Sequence, residues 1–262
     1  MISRLQGWVQ SLTADPVGFL IEMAYTVVAV LISLILHECA HGYVAYRCGD
    51  PTAKMLGRLS LDPRKHLDPI GTVCMFLLGF GWAKPVPVNP RNFQNYRRDD
   101  FLVSIAGIVT NLTLFLLCAA LSVGLNRVMV GSEWYASMGV TAEGREMLYY
   151  SFAGSVLSGP IPEDIAQMMA MPWLQYVQRF LVMMMMMNLC LAIFNFLPIP
   201  PLDGYHILND VILKGRLQLN ESTFRTAQMI LMLLCLSGAL DGILSAAEDA
   251  VMTAVIHLFT LL

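Results

Sequence analysis

The sequence predicts an all-α polytopic membrane protein with about four transmembrane helices, a short re-entrant segment and a small β element near the functional site. Of its 262 residues, 56% are hydrophobic and only 13% are charged, and the mean hydropathy is +0.61. This composition is far from the balance of a soluble domain. Three apolar runs, 17–46, 101–125 and 173–197, are each long enough to cross a hydrocarbon core as a helix. We therefore expect a lipid bilayer around the chain, and a net charge of −3 gives no reason to expect nucleic acid as a partner.

The ends of the chain and the segments between these runs have weaker patterns, from which the following structure is predicted. Residues 1–16 predict an interfacial helix, because their apolar residues have helical spacing and no cleavage site of small residues follows. Residues 69–82 are apolar but too short to span, which predicts a re-entrant or buried segment. Residues 17–213 are the predicted functional core. Residues 214–262 are expected to contain a fourth membrane helix, at about 227–247, and an amphipathic tail.

The basic residues predict which side of the membrane each loop faces. Nine of the 16 lysines and arginines lie between Arg47 and Arg98, so this region is expected in the cytoplasm. The loop 126–172 contains only Arg127 and Arg145 and is expected outside. The end of the first span and the end of the third span then meet on the cytoplasmic side. The compact form and the absence of an organellar targeting segment favour a bacterial plasma membrane.

A cluster of ionisable residues, HECAH, lies near the end of the first apolar run. Residues four apart share one face of a helix, so His37 and His41 can reach the same metal ion. In this HExxH pattern two neutral imidazoles bind zinc, and Glu38 takes a proton from a water molecule that the metal activates. Each ionisable residue in a membrane helix costs on the order of 3 kcal/mol on insertion scales. Such a cluster therefore indicates a functional site more strongly than it would in a soluble protein.

Two histidines leave a catalytic zinc site one protein ligand short. Asp203 is the preferred candidate, because it follows the prolines that end the third apolar run on the side where His37 and His41 are expected. His206, three residues later, is the competing candidate. Asp203 could also serve only as a turn or helix-capping residue.

Two short stretches predict the small β element. In KPVPVNP, residues 84–90, valines alternate with prolines as in an edge strand, and GRLSL, residues 57–61, could be its neighbour. An extended substrate could pair with such an edge by strand addition. A structural turn above the site is an equally compatible interpretation.

Four motifs occur in a fixed order between residues 28 and 212. They are HECAHGYVAYRCGDPTAKMLGRLSLDPRKHLDPIGT, GFGWAKPVPVNPRNF, AGIVTN and FNFLPIPPLDG. In this order they resemble the site-2 protease family of intramembrane zinc metalloproteases. The resemblance implies that His37, His41 and Asp203 bind one Zn²⁺ per chain and that Glu38 is the catalytic residue.

The resemblance also points to two asparagines. Asn195, eight residues before Asp203, occupies the place of a family residue thought to hold the substrate or the oxyanion, although an interhelical hydrogen bond is the competing role. Asn111 in AGIVTN has a family counterpart near the site, and for it a structural role is the stronger alternative. Ile108 replaces the proline that many relatives have after AG. The chain resembles most the shorter family members, so no PDZ domain is expected.

The sequence thus predicts an intramembrane zinc-dependent endopeptidase. Its expected substrate is a single-pass or otherwise membrane-anchored protein, cleaved within or near its transmembrane segment. A divalent metal transporter is one alternative, but the sequence shows no internal repeat of the kind that many transporters have. A non-catalytic membrane scaffold is another, in which Glu38 would be dispensable.

Overall fold

A computed structural model of the chain describes residues 2–78, 82–137, 141–167, 169–217 and 219–261. These residues form twelve α-helices, joined by short 3₁₀ turns and, after the tenth helix, by a π turn at Leu208–Ile212. The helices are α1 (Ile2–Ala14), α2 (Pro16–Arg47), α3 (Thr52–Met55), α4 (Pro69–Leu78), α5 (Tyr96–Val130), α6 (Ser132–Ser137), α7 (Ala142–Ser158), α8 (Glu163–Ala166), α9 (Gln175–Phe196), α10 (Asp203–Ile207), α11 (Glu221–Ser237) and α12 (Asp241–Leu261).

In the part of the chain that the structure describes, four helical segments are long and apolar enough to cross a membrane. They are Pro16–Arg47, Tyr96–Val130, Pro172–Phe196 and Asp241–Leu261. The prediction of about four transmembrane helices in a multi-pass membrane protein is therefore confirmed. The first three coincide with the three apolar runs of the sequence.

Local signals at the helix ends explain where the two longest helices begin. Asp15 caps α2 by accepting the backbone N–H of Gly18 at 2.9 Å, and Pro16 occupies the first turn, where its missing N–H costs nothing. At the start of α5, Asp99 accepts the backbone N–H of Asn95 at 2.8 Å. Each cap satisfies a donor that would otherwise have no partner at the helix end.

The core lies where α2, α5 and α9 pack against one another. Ala29, Phe115, Ala119, Met185 and Leu189 are each at most 3% exposed. Met185 belongs to the run of methionines at 183–187 in α9, whose flexible side chains can fill irregular gaps in a core. This packing fixes the three helices that carry or back the predicted site.

The small β element was predicted wrongly. Among the described residues the only β-type pairing is an isolated antiparallel bridge between Leu67 and Ala83. Residues 84–89 of KPVPVNP have no regular secondary structure, and Pro85 and Pro87 have no N–H to give to a ladder. A side chain takes the place of a ladder partner at Lys84, whose carbonyl oxygen accepts a hydrogen bond from the Arg58 guanidinium at 2.8 Å. The residues of GRLSL form a turn and bends.

The C-terminal region is divided differently from the expectation. The predicted span 227–247 is interrupted at Gly238, whose left-handed backbone (φ 76°) ends α11. A new helix, α12, begins at Asp241 and includes most of the expected tail. Apolar residues on both sides of the glycine obscure this break in a hydropathy profile.

Two other regions add to the sequence picture. The predicted re-entrant segment contains the ten-residue helix α4, while residues 79–81 lie outside the described part of the chain. The loop expected outside the membrane contains α6, α7 and α8, and α7 packs Tyr149 and Phe152 into the interior.

Candidate metal centre

His37, His41 and Asp203 come together at one point of the structure. The Nε2 atoms of the two histidines are 3.0 Å apart, and each lies 3.4 Å from Oδ2 of Asp203. Four ligands at about 2.05 Å around a tetrahedral zinc would be roughly 3.3 Å from one another. These three atoms therefore have the spacing of three corners of a zinc tetrahedron.

The donor set also has the chemistry of a metal site. Oδ2 of Asp203 is buried and makes no hydrogen bond to the part of the chain that the structure describes. Burial raises the pKa of Asp203, but the contacts of its carboxylate with the two imidazoles at 3.4 Å outweigh this effect and hold the pKa well below its usual range. A buried anionic oxygen that faces two imidazoles is well suited to a divalent cation, so the residues present fit Zn²⁺.

Helix α5 passes directly behind the histidine pair at Gly107. A Cβ atom on Gly107 would lie 2.4 Å from Cε1 of His37 and 2.5 Å from Nε2 of His41. These distances are far below van der Waals contact, so only glycine allows α5 to approach the site this closely. The motif AGIVTN contains this glycine, but nothing in the residue pattern distinguishes it from the other glycines of the chain.

Two groups on α5 orient the imidazole rings. Nδ1 of His41 lies 2.7 Å from the carbonyl oxygen of Val103, which can only accept a proton. The proton of His41 is therefore on Nδ1, and the lone pair on Nε2 is free for a metal. Nδ1 of His37 lies 3.1 Å from Nδ2 of Asn111. Oδ1 of Asn111 is buried without a partner among the residues that the structure describes, and a 180° turn of the amide would let it accept the His37 Nδ1 proton in the same manner.

Asp203 reaches the histidines because α10 packs under the end of α9. A Cβ atom on Gly204 would lie 2.3 Å from the carbonyl oxygen of Phe196, the last residue of α9. Glycine at this position therefore permits the sharp return of the chain that follows the prolines. The structure brings Asp203 to the histidines, whereas Nδ1 of the competing candidate, His206, lies 3.1 Å from Oδ2 of Asp100.

Glu38 and Asn195 have other contacts. The carboxylate of Glu38 accepts the backbone N–H of Val86 at 2.7 Å. The side-chain amide of Asn195 donates to the carbonyl oxygen of Leu191, one turn back in its own helix, at 2.9 Å. Asn111 is thus the asparagine that contacts a histidine of the cluster, and Asn195 is turned toward its own helix.

Sequence reasoning missed the partners that are contributed by the backbone or by distant polar residues. The carbonyl of Val103 and the N–H of Val86 have no side-chain signature. The pair formed by Asp100 and His206 joins residues that are 106 positions apart. A carboxylate close to the start of an apolar helix is the sole hint that the sequence offers for this pair.

Comparison with known proteins identifies similar chains. The family model described as Peptidase family M50 matches residues 25–238. YwhC of Bacillus subtilis, named as a zinc metalloprotease, is 39% identical over 193 residues, which cover 74% of this chain and 71% of that relative. Rip2 of Mycobacterium tuberculosis, also named as a zinc metalloprotease, is 33% identical over 119 residues, or 43% of this chain and 45% of Rip2. No solved structure matches the chain significantly.

Proposed function

Because the chain belongs to peptidase family M50, the site-2 protease family, and is a zinc metalloprotease, we propose that it cleaves membrane-anchored proteins inside the bilayer. The peptide bond would lie within or near the transmembrane segment of a single-pass or otherwise anchored substrate. The observation that carries this proposal is the convergence of His37, His41 and Asp203 from a membrane-spanning helix and a segment that follows another one. A protease with two metal ligands on a membrane-spanning helix and the third just beyond the end of another is placed to act on substrates that share the membrane.

Each residue of the site would have a defined task. His37, His41 and Asp203 would hold one Zn²⁺ per chain, and Val103 and Asn111 would fix the two imidazoles. When bound, zinc would polarise the peptide carbonyl and lower the pKa of water. Glu38 would take a proton from the attacking water as general base and return it to the leaving amine as general acid.

The position of the site in the membrane is part of the proposal. Nine of 16 basic residues lie between Arg47 and Arg98, next to the end of α2 that carries the histidines. The positive-inside rule then favours an active site toward the cytoplasm. The relatives come from bacteria, which supports a bacterial plasma membrane.

The test is to replace Glu38 with Gln. This change retains the shape of the side chain and an oxygen that can accept the Val86 N–H, but it removes the base. We expect full zinc content and a loss of cleavage of at least about 10²-fold, the lower range for a positioned general base. Membrane proteomes of cells with the wild type and with Glu38→Gln should differ in a protein that accumulates uncut in the variant. Cleavage at the wild-type rate by the variant would contradict the mechanism.

Asn195 is proposed to donate to the carbonyl oxygen as negative charge develops there, after its amide turns away from Leu191. Removal of a single oxyanion donor typically lowers kcat by about 10²–10³-fold. Once the proteome comparison has supplied a substrate, Asn195→Ala should lower kcat by this amount and leave KM and zinc content nearly unchanged. A variant that loses thermal stability with an unchanged kcat would show that Asn195 has only a structural role.

A further inference from the structure

Glu38 has a contact that its role beside the metal ligands does not require. Its Oε2 atom accepts the N–H of Val86, a residue 48 positions away, at 2.7 Å. The side chain of Val86 is buried. Hydrogen bonds to a carboxylate are roughly twice as strong as bonds between neutral groups. This contact therefore constrains the direction in which the carboxylate points.

Val86 lies in residues 83–89, here called the proline segment, whose two ends are anchored. At the first end, the N–H of Lys84 donates to the carbonyl oxygen of His66 and the Arg58 guanidinium donates to the carbonyl of Lys84, both at 2.8 Å. At the second end, the N–H of Asn89 donates to Oδ2 of Asp50 at 2.7 Å. The segment is thus fixed on both sides of Val86.

Asp50 is a strong anchor because it is buried and both of its oxygens accept hydrogen bonds. The side chain of Asn92 donates to its Oδ1 at 2.7 Å, and Thr52 donates to the same atom through its backbone N–H and its hydroxyl. Burial opposes ionisation, but the hydrogen bonds from Thr52, Asn89 and Asn92 hold the pKa of Asp50 below its usual value. The anchor therefore stays charged at neutral pH.

The sequence of the proline segment makes Val86 the donor at this point. Pro85 and Pro87 have no backbone N–H, so Val86 supplies the sole N–H of residues 85–87. The prolines also restrict the backbone on both sides, so little conformational entropy is lost when the N–H is held in place. No side-chain rotation can withdraw a backbone donor.

Gly42 allows the proline segment to lie against α2. It follows Glu38 by one helical turn, and a Cβ atom there would lie 2.9 Å from Cγ1 of Val86 and 2.7 Å from Cδ2 of Leu59. A larger residue would push Val86 away from the helix that carries Glu38. The distance between the donor and the carboxylate is therefore set by the packing of α2 against this segment.

We infer that the Val86 N–H is a positioning group for catalysis, held in place by the proline segment so that one oxygen of Glu38 is fixed and the other is left to receive the proton. The inference rests on the proposed function, since it assigns the partner of the proposed general base. It also gives the motif KPVPVNP a role that needs no β-strand.

The test uses Val86→Pro, which deletes the N–H in a segment that has no regular secondary structure and already contains prolines. The matched control is Val88→Pro, because the N–H of Val88 makes no hydrogen bond to the described part of the chain. The probe is acetohydroxamate, a bidentate zinc ligand that gives its hydroxyl proton to a neighbouring carboxylate. Its affinity for the zinc-loaded full chain in detergent would be measured by calorimetry, together with the zinc content of each variant.

We expect Val86→Pro to bind acetohydroxamate about tenfold or more weakly than the wild type, with full zinc content, and Val88→Pro to bind within about twofold of the wild type. In a Glu38→Ala background, Val86→Pro should cause no further loss. Wild-type affinity in Val86→Pro, or the same loss in both backgrounds, would overturn the inference.

The experiment also separates loss of zinc by the variant from failure of the wild type to bind the probe. Should Val86→Pro fail to retain zinc, the same comparison would be made with Asp50→Asn, which weakens the second anchor. A loss of affinity in Asp50→Asn that disappears in the Glu38→Ala background would support the inference, and a loss independent of Glu38 would overturn it. Failure of the zinc-loaded wild type to bind acetohydroxamate would overturn the proposed function itself.

Discussion

The two pieces of chain that supply the predicted metal ligands are held in different ways. His37 and His41 lie inside the helix bundle, and their rings contact a backbone carbonyl and a neutral amide on α5. Asp203 lies on the short helix α10, outside the spans, where the contact with α5 runs through the charged pair of His206 and Asp100. His37 and His41, the histidine side of the site, are therefore fixed by packing. The position of Asp203, the aspartate side, also depends on the ionisation of the groups around α10.

The largest expected effect is on the histidine side, from Gly107→Ala. The added methyl would overlap both imidazoles, at 2.4 and 2.5 Å, and α5 cannot move away without disrupting its packing against α2. Overpacking of a core costs roughly 1–3 kcal/mol or more. We expect a lower melting temperature in detergent and a loss of bound zinc, measured by thermal unfolding and metal analysis.

Gly124→Ala is the matched control on the same helix. Apart from the nearby backbone of its own helix, no atom of the described residues lies within 4 Å of the Cβ position at Gly124, so this variant should keep its zinc and unfold at the wild-type temperature or above. Equal behaviour of the two variants would show that the approach of α5 to the histidines is not what fixes them.

A smaller effect on the same side is expected from Asn111→Ala. The substitution removes the partner of His37 Nδ1 and leaves the three proposed ligands intact. Loss of such a supporting contact typically weakens metal binding by about 10–100-fold. The measurement is competition for zinc with a chelator of known affinity, and an unchanged zinc affinity would assign Asn111 to helix packing alone.

The sequence was sufficient to predict the parts of the site that follow from periodicity and chain direction. The spacing of His37 and His41 puts them on one helical face, and the prolines before Asp203 end the third span on the matching side. The resemblance pointed to Asn111 beside the site, but the contacts of Val103 with His41 and of Val86 with Glu38 were not predictable, because both valines act through backbone atoms. Their side chains could change without altering the contact.

Two errors in the predicted fold have physical causes of the same kind. Alternation of valine and proline in residues 84–90 resembles a strand, but a ladder needs N–H donors that prolines lack. Apolar residues surround Gly238, so the hydropathy profile continues where the backbone turns. In both places a local property of the backbone, the missing N–H of a proline or the left-handed conformation of a glycine, determined the structure against the pattern of the surrounding side chains.

The smallest expected effect concerns the aspartate side and its dependence on pH. Asp210, in the π turn that follows α10, is buried, and burial together with the carboxylate of Asp100 raises its pKa to about 7. The other titratable groups at this contact are Arg97, Tyr96, Tyr205 and His206. An acid whose pKa is higher in the folded chain favours folding while it is protonated. The stabilisation is complete below the ordinary pKa of 3.8 and is lost as the pH rises through about 7.

Asp210→Asn should therefore reduce the loss of thermal stability between about pH 5 and pH 8.5, because the amide stays neutral throughout. Each kcal/mol that is retained corresponds to roughly 2–4 °C in melting temperature for a chain of this size. Some pH dependence should remain, since the pKa of His206 is lowered by burial but raised more by Asp100, so this histidine also loses its charge as the pH rises. Asp164→Asn, at an exposed carboxyl on α8, is the control and should follow the wild-type curve. If Asp210→Asn followed that curve as well, ionisation near α10 would not distinguish the two sides of the site, and both would be held by packing.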